Sequence, residues 1–126
     1  TNTLGDNHIV AMEHAAGPGF WAGTLSGGLA RYRPETDDFK RFKADGKFGD
    51  IANNGISALF LDRNKRFWVG TSIGSLQWFN QKQAMFENVT SVNADSVGRI
   101  KSLIDHGDGL LMGTRNGIFF LKNENM

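Results

Sequence analysis

The side chains with the potential for chemistry are few and scattered. Glu13, Asp62 and Asp105 each stand at the end of a short apolar run. Three carboxylates on one rim would serve acid–base chemistry or hold a cation. Acidic residues that cap hairpin turns give the same pattern, and that is the expectation here. The stretch Asp105-His106-Gly107-Asp108-Gly109 is acidic and glycine-rich like a calcium loop. It lacks the D-x-[DN]-x-[DN]-G order and the distant glutamate that such a loop needs. His8, His14 and His106 show no metal-ligand spacing. The glycines between Gly17 and Gly23 have the wrong spacing for a dinucleotide loop, and a strand rather than a helix pattern follows them. No Gly-x-Ser-x-Gly elbow is present. There is no cysteine, which excludes disulfides, thiolate metal sites and a thiol nucleophile, and leaves the compartment open. Asn88-Val89-Thr90 matches the short acceptor pattern for glycosylation. Neither a catalytic residue nor a metal or cofactor is expected in this chain.

The elements that must position these residues recur. Phe67-Trp68-Val69-Gly70-Thr71-Ser72-Ile73-Gly74 is preceded by Phe20-Trp21-Ala22-Gly23-Thr24-Leu25-Ser26-Gly27 and followed by Leu110-Leu111-Met112-Gly113-Thr114-Arg115-Asn116-Gly117. The Gly-Thr pairs begin at 23, 70 and 113. A repeat of roughly 40–50 residues built from short apolar runs points to propeller blades. The expected strands in the first unit are 9–12, 20–24, 29–32 and 39–42. Those of the second are 56–61, 67–71, 76–79 and 85–89, and those of the third are 100–104, 110–114 and 118–121. Turn signals near every ten residues fit an antiparallel meander, and no period-3.6 pattern long enough for a helix is present. The fold class is all-β, with blades at about 7–43, 54–90 and 99–126, the last lacking its outer strand.

Two features of the repeat have expected physical roles. The glycine of each Gly-Thr pair lies inside a strand, where its use is close approach between converging blades. The trailing glycine, such as Gly27 or Gly74, supplies the positive φ of a short hairpin. Trp21 and Trp68 are expected to wedge between adjacent blades, while the pattern gives Trp78 no clear face.

In such a blade, the loop leading into the first strand and the turn joining the second to the third share one rim. That rim would gather His8, Leu25, Ser26, Asn53, Asn54, Ser72, Ile73, Arg99, Arg115 and Asn116. Amides, hydroxyls and arginines suit sugar hydroxyls or carboxylates, so the candidate ligand-binding residues are Asn54, Ser72, Arg99, Arg115 and Asn116.

The pattern Asn-x-Ile-x-x-Leu, a turn, then Phe-Trp-Val-Gly-Thr-x-x-Gly-x-Leu-x-x-Phe resembles the two-component regulator propeller repeat. It runs best from Asn54 to Phe79, and the first unit follows it from Asn7 to Tyr32. The third unit departs, with Leu111 in the place of tryptophan and shorter turns. The resemblance implies the extracytoplasmic, periplasmic sensor region of a hybrid two-component histidine kinase. There a seven-bladed propeller precedes a β-sandwich, a membrane span and the kinase. It also implies recognition of oligosaccharides and signalling across the membrane. A non-catalytic protein-interaction scaffold is the alternative, and a propeller lyase a more distant one.

Length and composition bound the rest. The 126 residues carry a net charge of +1, too weak a field to predict nucleic acid or an anionic membrane as partner. No apolar run approaches the ~20 residues needed to span a bilayer, and no signal peptide stands at the start. The chain begins at Thr1 and ends soon after a strand, which reads as a piece of something longer. Three blades do not close a ring, since propellers have about 4–8. Further blades of the same chain are therefore expected partners. In isolation, self-association through open blade edges is expected.

Overall fold

A computed structural model describes residues 6–122. The first sheet contains β1 (Ile9–His14), β2 (Phe20–Thr24), β3 (Leu29–Arg33) and β4 (Asp38–Phe42). The second contains β5 (Ile56–Leu61), β6 (Phe67–Thr71), β7 (Leu76–Asn80) and β8 (Met85–Asn88). A four-residue helix, α1 (Ala94–Val97), precedes β9 (Ile100–His106), β10 (Gly109–Thr114) and β11 (Gly117–Lys122), which form the third sheet. Every neighbouring pair is antiparallel and sequential, so each sheet is a meander of four, four and three strands. Among the described residues no helix is long and apolar enough to cross a membrane.

The sheets stand side by side like blades. Their first strands converge, with β1 packed beside β5 and β5 beside β9. The strand-borne glycines make this approach possible. A Cβ on Gly70 would lie 2.6 Å from Ile100 Cγ2 of the next sheet, and a Cβ on Gly23 would collide with Ile56 in the same way. The expected role of these glycines is thus met at two of three positions. At Gly113 the nearest atom to an added Cβ is Ser102 Oγ of its own sheet.

Two seams form the core. In the first, Trp21 stacks on Phe67 at 4.5 Å and 13°. Phe42, Phe79 and Phe86 surround it edge-on or tilted. In the second, Trp68 packs among Val97, Ile100, Leu103, Leu110, Met112 and Leu121. Both tryptophans therefore sit between blades. Trp78 joins the edge of the second seam, half-buried, with the Arg66 guanidinium 4.8 Å above its ring.

Some local structure departs from the sequence pattern. β1 runs on through His14, two residues beyond the expected 9–12, because pairing of His14 with Phe20 extends the ladder. The connection 90–98 holds α1, started by Asn93, whose side chain accepts from the backbone N–H groups of Asp95 and Ser96. In the first sheet, Gly28 (φ 83°) and not Gly27 takes the positive φ of the turn. Gly74 (φ 92°) and Gly117 (φ 127°) take it in the other two.

Candidate functional site

The rim of lead-in loops and Gly-Thr turns is built on one repeated scaffold. The threonine of each Gly-Thr pair is buried, and its hydroxyl ties off the turn behind it. Thr24 Oγ1 donates to the Gly28 carbonyl at 2.7 Å and accepts from Gly27 N at 2.9 Å. Thr71 Oγ1 pairs with Ser75 Oγ, and Thr114 Oγ1 donates to the Gly117 carbonyl at 2.8 Å. A backbone bond then fastens each turn to its own lead-in loop. Leu25 N donates to His8 O, Ser72 N to Gly55 O and Arg115 N to Arg99 O, at 2.9–3.0 Å. The buried hydroxyl is needed because a tight turn turns backbone donors and acceptors inward, where they must find partners. The repeated threonine is visible in the sequence, but its role as a turn clamp was not read from it.

The scaffold leaves the five candidate side chains in different states. Asn54 is half-buried and occupied: its Oδ1 accepts from Ala44 N at 2.8 Å, and its carbonyl accepts from Gly28 N. Ser72 is half-buried against Gly55. Arg99, Arg115 and Asn116 come together where the chain enters β9 and turns from β10 to β11. A Cβ on Gly98 would lie 3.1 Å from Asn116 Nδ2 and 3.3 Å from Arg115 Cβ. Asn116 Nδ2 donates to the Ser96 carbonyl at 2.9 Å. Arg115 and Asn116 are exposed and Arg99 half-buried. Among the described residues neither arginine has a hydrogen-bonded partner for its guanidinium.

Asn53, Asp6 and Ser26 also shape this rim. Asn53 Oδ1 accepts from Gly55 N at 2.8 Å, closing an Asx-turn. Asp6 Oδ1 accepts from His8 N, and its Oδ2 accepts from Ser26 N and Ser26 Oγ, at 3.0–3.1 Å. These bonds to His8 and Ser26 hold the Asp6 carboxyl below the usual carboxylate range. Leu25 and Ile73 project into solvent beside these polar groups.

On the opposite rim the carboxylates are consumed by the fold. Glu13 Oε1 accepts from His14 N, and its Oε2 accepts from Leu61 N of the next sheet at 3.1 Å. Buried Asp62 accepts from Asn64 N and Arg66 N with one oxygen, and from Trp68 Nε1 with the other, all at 2.9 Å. Asp105 accepts from Arg63 N at 3.1 Å and lies 3.7 Å from the Arg63 guanidinium. Each of the three therefore caps a turn or stitches one sheet to its neighbour. Among the described residues no cluster of three or more metal-ligating side chains forms. His8, His14 and His106 are exposed.

Residues 50–72 match the family profile described as two component regulator propeller. No curated protein is similar enough to count as a relative. Solved structures share the fold. The extracellular domain of BT4673 from B. thetaiotaomicron, assigned as a hybrid two component system, superposes with a TM-score of 0.77 at 21% identity, over 93% of this chain and 16% of that one. Another structure of that extracellular domain, described there as a one component system, gives 0.75 at 24% identity over 99% of this chain. The extracellular domain of BT3049 from the same organism, assigned as a hybrid two component system, gives 0.77 at 13% identity over 98% of this chain and 19% of that one. This chain thus spans less than a fifth of the length of these structures.

Proposed function

We infer that this chain, which carries the two-component regulator propeller repeat, is a non-catalytic segment of an extracytoplasmic sensor propeller. The whole protein would be a periplasmic-facing hybrid two-component histidine kinase, with other blades of its chain completing the propeller. Its ligand would be an oligosaccharide, met on the rim of lead-in loops and Gly-Thr turns. Binding would shift a pre-existing balance of receptor states across the membrane.

The observation that carries this reading is the repeat match at residues 50–72. Extracellular two-component domains as the structural likeness agree with it. The site chemistry agrees as well. Arg99 and Arg115, beside exposed Asn116, form the part of the rim with guanidinium donors free of the scaffold, and such donors suit sugar hydroxyls or carboxylates. Asn54 and Ser72 would act beneath them by holding the loops. The carboxylates an enzyme would use are tied to backbone donors, which disfavours a lyase.

The test is a glycan array, followed by titration calorimetry, on the extracytoplasmic region that contains this chain. Binding of an oligosaccharide that falls tenfold or more in Arg115→Ala and Asn116→Ala is the expected result. Silence on every glycan favours a protein-binding scaffold, and release of shortened sugars favours a lyase.

A further inference from the structure

Two arginines on β3 stand on one face of the first sheet and meet opposite surroundings. Arg31 and Arg33 are two residues apart, so their side chains leave the strand on the same side. The register sets Arg33 opposite Asp38 of β4, and Arg31 opposite Lys40. Arg33 is satisfied by the residue across from it. Its Nε donates to Asp38 Oδ1 at 2.9 Å and its Nη2 to Asp38 Oδ2 at 2.6 Å. This is the side-on fork that matches a guanidinium to a carboxylate. Arg31 meets an ammonium in the place of that carboxylate, and like charges directly opposite each other destabilise a strand pair.

Ring faces are what the two cations touch. The Arg31 guanidinium lies 5.4 Å from the Trp21 ring centroid, and Lys40 Nζ lies 5.5 Å from that of Phe42. Arg31 Nε is buried without a hydrogen-bond partner, alone in this among the buried side-chain nitrogens and oxygens of the described residues. Buried donors are almost always paired, so an orphan of this kind marks the place of a water, an ion or a ligand. Among the described residues the ion pairs are Arg33–Asp38 and Arg63–Asp105, and no carboxylate pairs with Arg31 or Lys40. In the second sheet the same two positions hold Trp78 and Glu87. There the outer strand supplies a carboxylate of its own, which accepts from Asn80 Nδ2 at 3.0 Å.

The pair stands in the first seam, since the Trp21 ring under Arg31 is the one that stacks on Phe67 of the second sheet. Both walls of that seam belong to this chain, so further blades, stacking beyond the first and third sheets, leave it uncovered. Arg31 is half-buried and Lys40 exposed, which opens the pair to a small molecule from solvent.

We propose that Arg31 and Lys40 bind the carboxylate of a small organic acid or uronate sugar at the outer mouth of the first seam. The carboxylate takes on Arg31 the place that Asp38 takes on Arg33, accepting from the Nε and Nη fork with the Lys40 ammonium beside it. The site uses none of the rim residues, so it holds or fails independently of the oligosaccharide reading.

Chemical-shift titration of the isotope-labelled 126-residue chain tests this, with acetate, glucuronate, phosphate and sulfate added at constant ionic strength. The expected result is a saturable shift of the Arg31 Nε–H signal toward that of Arg33 with acetate and with glucuronate, accompanied by the backbone amides of β3 and β4. Tighter binding of glucuronate than of acetate supports the site as one for a uronate sugar, and equal binding supports it as one for a simple acid. Arg31→Gln should weaken binding about tenfold or more, the loss of a charge-assisted fork. Lys40→Gln, at an exposed position, should weaken it up to about fivefold. Lys40→Glu puts a carboxylate across from Arg31 as Asp38 stands across from Arg33, so it should abolish the response to added acid and raise the melting temperature. Thermal melts check that each variant folds. A shift that never saturates and is equal at Arg41 is charge screening and overturns the proposal. So does saturable binding of phosphate or sulfate without either carboxylate, or a response to acetate that survives Lys40→Glu.

Discussion

Trp21 and Trp68 hold the same position in successive blades, yet the seams around them differ in kind. Trp21 meets aromatic partners, with Phe67 stacked on it and Phe42, Phe79 and Phe86 around it. Trp68 meets aliphatic ones, Leu110 and Leu121 standing where Phe67 and Phe79 stand in the blade before. It adds an anchor of its own, the indole N–H donating to buried Asp62 at 2.9 Å. The first seam gains specificity from ring geometry, and the second from one directed hydrogen bond plus close aliphatic packing. The tryptophan is the shared element; the chemistry opposite it is free to change.

Substitutions along both seams probe that difference, in falling order of effect. Truncating either tryptophan to alanine should cost about 3–5 kcal/mol, as for large core residues generally, read by urea denaturation. Replacing each by phenylalanine separates them: Trp68→Phe should lose about 1–3 kcal/mol more than packing alone explains, because the second carboxylate oxygen of buried Asp62 loses its indole donor. Equal losses in Trp21→Phe and Trp68→Phe would erase the distinction between the seams.

Next come the glycines beneath the tryptophans. Gly70→Ala should cost about 1–3 kcal/mol, because the new methyl meets the Ile100 side chain packed in the seam. Gly113→Ala should cost less, because it meets only the Ser102 hydroxyl, which can rotate away. Thermal melts of the two variants give the comparison directly. Phe67→Leu converts the first seam to the chemistry of the second. It should lose about 0.5–1.5 kcal/mol beyond the area it uncovers, the contribution of the ring pair. A double-mutant cycle with Trp21→Leu isolates that coupling.

The smallest effect is on pH. Bonds from His8 and Ser26 lower the Asp6 pKa, and the Arg33 guanidinium, with the Thr36 hydroxyl, lowers that of Asp38, both from 3.8. A carboxylate lowered by folding stabilises the fold fully above its unfolded value. That contribution fades as the pH falls below 3.8 through the folded value. Both groups are at the surface, so the loss should be slight. Asp38→Asn should flatten it further, as read from melting temperatures between pH 5 and pH 2.

Much of this architecture was legible because its cause is periodic. Phe-Trp-Val-Gly-Thr and its two copies mark the second strand of each blade, and the turn residues between them mark the meander. The missing parts depend on single local interactions. Four residues of α1 are too few to show a period, and only the Asn93 cap betrays them. The positive φ falls on Gly28 in the first blade and on Gly74 in the second, although Thr24 and Thr71 each bond to the residue four positions on. The spare polar groups were the hardest to read. Asn54 and Asn116 are the same residue type on the same rim, yet Asn54 accepts from Ala44 and is occupied, while Asn116 stays exposed. Nothing in composition or spacing separates them; the partner lies in a loop ten residues away.

The claim on which the rest stands is that an isoleucine from each blade sits on the strand glycine of the blade before it. Nuclear Overhauser contacts from methyl-labelled chain test it most directly. Cross-peaks from the Ile56 Cγ2 methyl to the Gly23 α-protons, and from the Ile100 Cγ2 methyl to the Gly70 α-protons, are predicted. Intact contacts within each meander without those two cross-peaks would contradict it, leaving three sheets that do not stack as blades.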